Sequence, residues 1–230
     1  MDTPGAVFLF DIDGVLVEPR GYRLAVAATL QHYTRRMGLG DWAPPEETLA
    51  FFEAHNITHE WDMGPLALSF LCAEAAARLA PGSLPPVLEA ALEAVQRLGA
   101  GARGLDFHAP IAALAGQILP GEFPAEAALR LYRAGAFPPG AGGVPAHLPL
   151  LTGLLSNTRS VAENPVTRFF QTLALGSARF EGTYGLPAAF PSPSFLLTHD
   201  RAHLSPAVRE DLLARQARGE LALAAYTARP

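Results

Sequence analysis

The chain has 230 residues, of which 50% are hydrophobic, and a formal net charge of -5. This length and hydrophobicity suffice for a packed core and exclude a disordered or fibrous protein. The acidic balance provides no basic surface for nucleic acid or for an anionic membrane, so neither is an expected partner.

The cysteine content and the lack of a long apolar segment predict the cellular compartment. Cys72 lies in an apolar stretch and has no second cysteine with which to form a disulfide, which fits a reducing cytoplasm. The N-terminus lacks the basic region of a signal peptide, and no run reaches about 18 apolar residues. We therefore expect a cytoplasmic protein. The sequence leaves its oligomeric state open.

The first half of the chain predicts one strand and several helices. Residues 6–10 are wholly apolar, which is typical of a central parallel strand that is buried on both faces. From Arg20 onward apolar side chains return about once per helical turn, and a second helix is predicted over residues 44–55. The clearest helical periodicity lies in residues 84–98, where one stripe is continuously apolar and Gly99 supplies the stop.

The second half of the chain is interrupted by proline and glycine. Residues 134–149 predict an irregular connection and the best internal boundary, and residues 166–175 predict a helix after an Asn-Pro pair. Ser205 as N-cap and Pro206 at the first helical position predict a helix of about thirteen residues. An apolar run, Leu221–Tyr226, then predicts a second strand. Strand, helices and strand in this order predict an α/β fold.

Two aspartates follow the first predicted strand in the sequence Asp-Ile-Asp-Gly. Asp11 and Asp13 are two residues apart, so their side chains leave the strand from the same face. Two carboxylates this close repel each other unless a cation lies between them, and a hard, oxygen-ligated ion such as Mg²⁺ suits them. Gly14 lets the backbone turn sharply and approach a ligand. Open α/β sheets bind ligands at this carboxyl end of the strands.

An ordinary loop or a calcium site is the alternative explanation of Asp-x-Asp-Gly, because Asp and Gly are common in turns. An EF-hand calcium loop needs further ligands at fixed spacing that end in a glutamate, and Glu18 comes too early. The position directly after an apolar run, with Val15 and Leu16 trailing, favours a catalytic site.

Residues 8–16 resemble the first signature of the haloacid-dehalogenase-like (HAD) superfamily, in which an apolar strand ends in Asp-x-Asp-Gly. The resemblance implies that Asp11 is a nucleophile that attacks phosphorus, that Asp13 protonates the leaving oxygen and later activates water, and that both bind Mg²⁺. A carboxylate nucleophile needs no activating base, whereas a departing alkoxide needs a proton. Dehalogenating members typically lack the second aspartate, so Asp13 favours phosphate chemistry.

Residues 223–230 look like the second signature of the superfamily, an apolar strand that ends in Ser or Thr. The resemblance implies that the Thr227 hydroxyl and the Ala228 backbone amide, with Gly14, hold the transferring phosphoryl group. It also implies an HAD-like, Rossmann-like parallel-sheet core at residues 1–19 and 205–230, incomplete in this chain. Residues 20–204 would form a large, mainly helical cap inserted between the two signatures.

The resemblance stops before the third and fourth signatures, which are a lysine or arginine and an acidic pair. The chain has no lysine, because all 17 of its basic residues are arginine, and nothing follows Pro230. We therefore interpret the sequence as C-terminally truncated, and we expect residues 1–230 to be inactive alone.

Two further groups of residues have both a functional and a structural interpretation. Arg20, directly after the first signature, could reach a substrate anion, or it could be an ordinary exposed arginine. Asn56, Glu60, Trp61 and Asp62 are similar to a patch in some superfamily members, but a helix-connecting turn with Trp61 buried explains the same residues.

The sequence thus predicts a Mg²⁺-dependent phosphatase that acts on a small phosphorylated metabolite through an aspartyl-phosphate. One alternative is a phosphomutase of the same fold, which passes the phosphoryl group within a sugar. Another is a non-catalytic HAD-like scaffold or binding protein, for which the missing signatures are the argument. The intact Asp11, Asp13 and Thr227 favour catalysis.

Overall fold

A computed structural model describes residues 5–77, 84–97, 107–140 and 142–227. These residues form a mixed α/β fold in which helices predominate, as the order of predicted elements indicated. No helix among them is long and apolar enough to cross a bilayer. The strands of the described residues are β1 (Ala6–Asp11), β2 (Val17–Glu18), β3 (Arg201–Ala202) and β4 (Leu221–Tyr226).

Helices occupy most of the chain between the first and last strands. We call residues 20–199, which contain the first ten helices of the described part, the helical body. The helix bounds are α1 (Arg20–Arg36), α2 (Glu46–Ala54), α3 (Glu60–Ala77), α4 (Leu88–Arg97), α5 (His108–Ala115), α6 (Pro124–Arg133), α7 (Leu148–Leu155), α8 (Pro165–Leu175), α9 (Ser177–Tyr184), α10 (Phe195–His199) and α11 (Pro206–Ala217).

β1 and β4 form a parallel pair that joins the two distant ends of the described chain. Ala6 lies opposite Leu221 and Asp11 lies opposite Tyr226. One residue beyond the ladder, the Ile12 amide donates a hydrogen bond to the Tyr226 carbonyl at 3.1 Å. The prediction that the two apolar runs lie side by side and parallel is confirmed.

The expectation that these strands are buried on both faces is wrong for the described residues. Val7 is 69% exposed, Leu9 is 65% exposed and Tyr226 is 54% exposed. Within the described chain, β1 has β4 as its strand neighbour, and α11 packs against β4. The faces of β1 therefore stay open to solvent.

The hydrophobic core lies inside the helical body, between residues 22 and 180. There α1 packs against α3, α8 and α10, and α3 also packs against α6 and α7. α3 is buried along most of its length, and apolar side chains occur all round it, as expected for a helix in the middle of a core. The helical body thus has a core of its own, which does not depend on β1 or β4.

The helices predicted from local signals are present with small shifts. The helix predicted over residues 84–98 begins at Leu88, and its predicted end at Leu98 and Gly99 lies outside the described residues. Ser205 caps α11 as predicted, because its hydroxyl accepts a hydrogen bond from the Val208 amide at 3.3 Å. The capping side chain and the proline after it therefore predicted the start of α11 correctly.

The connection between α6 and α7 is irregular in its described residues, as its prolines and glycines predicted. Its interpretation as an internal boundary is wrong, however, because α6 and α7 pack against each other and contribute to one core cluster. Proline and glycine ended the helices without separating two cores.

β2 and β3 form a short antiparallel ribbon where the chain enters and leaves the helical body. Val17 pairs with Ala202, and the His203 amide donates a hydrogen bond to the Leu16 carbonyl at 2.8 Å. The two chain segments that connect the strand pair to the helical body therefore lie side by side.

Candidate active site

The chain turns sharply after Asp11, the last residue of β1. The Ile12 carbonyl accepts hydrogen bonds from the Leu16 and Val17 amides, and the Gly14 amide donates to the Val17 carbonyl at 2.8 Å. Gly14 has a φ of 77°, a left-handed conformation that glycine adopts without steric cost. The sharp turn predicted at Gly14 is therefore present.

The register of β1 and β4 brings two predicted site residues to one edge of the strand pair. Asp11 lies opposite Tyr226, and Thr227 follows Tyr226 directly. Neighbouring strands lie about 4.8 Å apart, so the backbones that carry Asp11 and Thr227 are adjacent. Ala228, the third residue of the predicted phosphate-binding group, lies outside the described residues.

Asp13 contributes to the wall of a cleft of about 630 Å³. The other walls come from Pro19 and from the helical body, namely from α1, α2, the start of α3 with the two residues before it, and the connections before α6 and after α7. This volume lies within the range of small-molecule sites. The main wall residues besides Asp13 are Tyr22, Arg23, His59, Trp61, Phe123 and Arg159.

Arg23 reaches the cleft from α1, but acidic neighbours engage its guanidinium. Its Nη2 donates to the two carboxylate oxygens of Glu53 at 2.7 and 2.6 Å, and its Nη1 pairs with Glu46. Burial lowers the pKa of Arg23, but the two glutamates outweigh burial and raise the pKa above its ordinary value. Arg23 thus joins α1 to α2 and has few donors left for a ligand.

Arg159 reaches the cleft from the connection between α7 and α8, and a buried carboxylate fixes its position. Its Nη2 donates to Asp62, whose side chain is 0% exposed, whereas the Arg159 side chain is 29% exposed. The guanidinium carbon lies 4.6 Å from the centre of the Phe123 ring. Burial raises the pKa of Asp62 above its ordinary value, although Arg159 and a hydrogen bond from Thr158 act to lower it.

Only some of the residues that had both a functional and a structural interpretation line the cleft. Arg20 donates to Glu18 at 2.7 Å and does not line the cleft. Glu60 and Trp61 lie in the first turn of α3 and line the cleft, where both are half-buried. Asn56 does not line it, and Asp62 is buried behind Arg159. Sequence reasoning missed Arg159, because no local pattern marks an arginine whose partner, Asp62, lies 97 residues away.

Asp11 and Asp13 are the residues that the sequence predicts as Mg²⁺ ligands. Among the described residues, no group of three or more His, Cys, Asp or Glu side chains is placed to hold a metal ion. Mg²⁺ keeps several waters, however, and is commonly bound by one or two carboxylates together with substrate phosphate oxygens. The Asp11 carboxylate and a substrate phosphate are therefore a donor set that suits Mg²⁺, whereas Asp13 could not ligate the ion through an oxygen that carries the proton it is predicted to donate.

Comparison with known proteins provides information on the fold alone. No model of a known family matches the chain, and no curated protein matches it. The chain is similar to the crystal structure of a Northeast Structural Genomics Consortium target, with a TM-score of 0.60 and 15% sequence identity. The likeness covers 98% of this chain and 63% of that one, so this chain spans less than two thirds of that protein's length.

Proposed function

We propose that the complete protein is a Mg²⁺-dependent, HAD-like phosphatase that hydrolyses a small phosphorylated metabolite. The observation that best supports this proposal is the register of β1 and β4, which brings Asp11 and Thr227 to one edge. Asp13, two residues beyond Asp11, opens into a cleft large enough for a small molecule. A nucleophile, a proton donor and a phosphate ligand are thus provided by the two ends of the described chain.

Each residue has one chemical role in this proposal. The Asp11 carboxylate attacks phosphorus, and the bond between phosphorus and the ester oxygen breaks. Asp13 gives its proton to the departing alkoxide, and the Thr227 hydroxyl donates a hydrogen bond to the phosphoryl group. Asp13 then takes a proton from water as the water attacks the aspartyl-phosphate, which releases inorganic phosphate and restores Asp11. Mg²⁺, when bound, neutralises charge on the phosphoryl oxygens.

The helical body provides the surroundings of the alcohol part of the substrate. The cleft walls contain aromatic side chains, including Tyr22 and Trp61, next to the positioned Arg159. In this proposal residues 20–204 act as a cap that selects the substrate and limits access of water, and residues 1–19 and 205–230 belong to the phosphate-binding core. The distribution of hydrophobic side chains supports this division, because the core clusters lie within residues 22–180.

The test is hydrolysis of 4-nitrophenyl phosphate by the complete protein with and without Mg²⁺. We expect parental turnover to depend on Mg²⁺ and Asp11→Asn to abolish it, because an amide cannot form the acyl-phosphate and also weakens the metal site. Asp211→Asn is the matched control, since Asp211 is exposed on α11 and does not line the cleft. Retention of about a tenth of parental turnover in Asp11→Asn would contradict the nucleophile assignment.

A further inference from the structure

The connection between α7 and α8 is held rigidly by buried hydrogen bonds. The Asn164 side chain donates to the carbonyls of Leu154 and Ser156 at 2.8 and 3.0 Å. The Thr167 hydroxyl donates to the Thr158 carbonyl at 2.9 Å. Asn164, Thr158 and Thr167 are all buried. The backbone on both sides of the arginine that follows Thr158 is therefore fixed before any ligand binds.

The Arg159 side chain is fixed as well. The Asp62 carboxylate accepts hydrogen bonds from Arg159 Nη2 and from the Thr158 hydroxyl, the latter at 3.2 Å, and also from the Ala125 backbone. One face of the guanidinium lies over the Phe123 ring. Contacts on α3, at the start of α6 and in the rigid connection therefore position one arginine at the cleft wall. Such preorganisation limits the entropy that binding to a ligand would cost.

Most hydrogen-bond donors of Arg159 remain available. Asp62 takes one hydrogen of Nη2, and within the described part of the chain neither Nε nor Nη1 of Arg159 has a hydrogen-bond partner. A guanidinium has two edges that each present a pair of parallel N–H groups, and both edges share Nη2. Because Asp62 occupies only one of the two Nη2 hydrogens, one complete two-donor edge is left.

A planar group with two acceptor oxygens matches such an edge, because arginine binds carboxylates through two parallel hydrogen bonds. Asp62 offsets the charge of Arg159, so recognition here depends on directed N–H donors. A hydroxyl supplies one acceptor oxygen and would leave the second donor unpaired. Sites that are built to hydrogen-bond a substrate group discriminate strongly against analogues that lack the group.

We propose that Arg159 binds a carboxylate of the substrate, so that the metabolite processed here is a phosphate monoester that also bears a carboxylate. This inference rests on the proposed function for the phosphoryl end of the cleft. Asp62 is a positioning residue, because it contacts Arg159 and, being fully buried, does not meet the substrate. Trp61 and Phe123 contribute apolar surface to the same cleft wall as Asp13 and Arg159.

The experiment compares two esters with the same three-carbon skeleton, 3-phosphoglycerate and glycerol 3-phosphate. We expect the parent to favour 3-phosphoglycerate at least about tenfold in kcat/KM. Arg159→Gln should lower kcat/KM for 3-phosphoglycerate about tenfold to a hundredfold and leave glycerol 3-phosphate within about twofold. Arg159→Lys should fall between, because an ammonium lacks the two-donor edge. Arg179→Gln, on the exposed side of α9, is the matched control and should change neither value.

Arg159→Gln leaves the buried Asp62 carboxylate without its counter-charge, which destabilises folded proteins. The double variant Asp62→Asn/Arg159→Gln removes both charges at nearly constant size and keeps the test valid if the single variant fails to fold. It should lose the preference for 3-phosphoglycerate as the single variant does. Equal losses with both esters, or no loss with either, would overturn the carboxylate assignment.

A binding measurement separates this inference from the proposed function. If the parent hydrolyses neither of these esters nor 4-nitrophenyl phosphate, the phosphatase proposal fails, and titration calorimetry with two phosphonates then decides the role of Arg159. The double variant should bind 3-phosphonopropionate at least about tenfold more weakly than the parent does, and ethylphosphonate equally well. Equal affinities of parent and double variant for 3-phosphonopropionate would overturn the inference even where hydrolysis is observed.

Discussion

Asp11 stands directly opposite Tyr226 at the last position of the parallel ladder between β1 and β4. Because side chains alternate between the two faces of a strand, a slip of one residue in this register would move each β4 side chain to the other face. The proposed chemistry therefore depends on a pairing between segments that are more than 200 residues apart in the chain.

Asp13→Asn should affect poor leaving groups far more than good ones. An amide cannot protonate the departing oxygen, whereas 4-nitrophenolate leaves with little protonation. We expect a loss of about a hundredfold or more with alkyl phosphates and a much smaller loss with 4-nitrophenyl phosphate. The measurement is kcat/KM for a series of esters ordered by the acidity of their alcohols. Equal losses along the series would argue against an acid role for Asp13.

Gly21→Ala should destabilise the fold by about 1–3 kcal/mol, because the new methyl group has no space. A Cβ at Gly21 would lie 2.7 Å from Leu196 Cα and 2.8 Å from the Phe195 carbonyl, and both are backbone atoms of α10. Gly153→Ala in α7 is the matched control, since a Cβ there meets no atom within 4 Å. Gly153→Ala should raise the free energy of unfolding by up to about 1 kcal/mol, because alanine has a higher helix propensity than glycine. Urea unfolding measures both, and equal effects would contradict the prediction.

Two N-cap residues should differ in their contribution to stability. Asn164 is 1% exposed, and besides capping α8 its side chain donates to two carbonyls. Ser205 caps α11 from an exposed position with a single hydrogen bond. Asn164→Ala should cost at least about 2 kcal/mol because buried backbone groups lose their partners. Ser205→Ala should cost about 0.5–1 kcal/mol, and unfolding free energies that fail to separate the two variants would contradict this ranking.

Asp62→Asn should change how stability depends on pH. Burial raises the pKa of Asp62 in the folded protein. The protonated carboxyl therefore makes its whole contribution to stability below the unfolded pKa of about 3.9. That stability is lost as the pH rises through the folded pKa. Since asparagine does not ionise, the free energy of unfolding of the variant should increase relative to that of the parent as the pH rises above about 4. Urea unfolding of both proteins from acidic to neutral pH tests this, and a constant difference would contradict it.

Local signals in the sequence were enough to predict elements whose determinants are local. Ser205 and Pro206 indicated the start of α11, and the apolar runs before Asp11 and Thr227 indicated two strands. Both helix capping and strand formation depend on residues within a few positions. The sharp turn at Gly14 was predictable for the same reason, since its positive φ is an intrinsic preference of glycine.

Features that depend on distant contacts were not predictable. α3 gave no helical periodicity, because it is apolar all round and contains Pro65. The exposure of β1 depends on which elements cover it, and an apolar composition does not specify them. The pairing of Asp62 with Arg159 required the fold, because it joins the start of α3 to the connection after α7. The cleft wall was therefore the least predictable part of the candidate site.

The ribbon of β2 and β3 gives the helical body the geometry of a removable module. Val17 and Ala202 are paired across it, so the two ends of the module lie about one strand spacing, roughly 4.8 Å, apart. A segment whose ends coincide can be excised from a host chain, or exchanged for another, without stretching the host, since a two-residue hairpin turn closes such a gap. In the described part of the chain, Val17 and Ala202 mark a place at which the helical body could be removed and the chain rejoined.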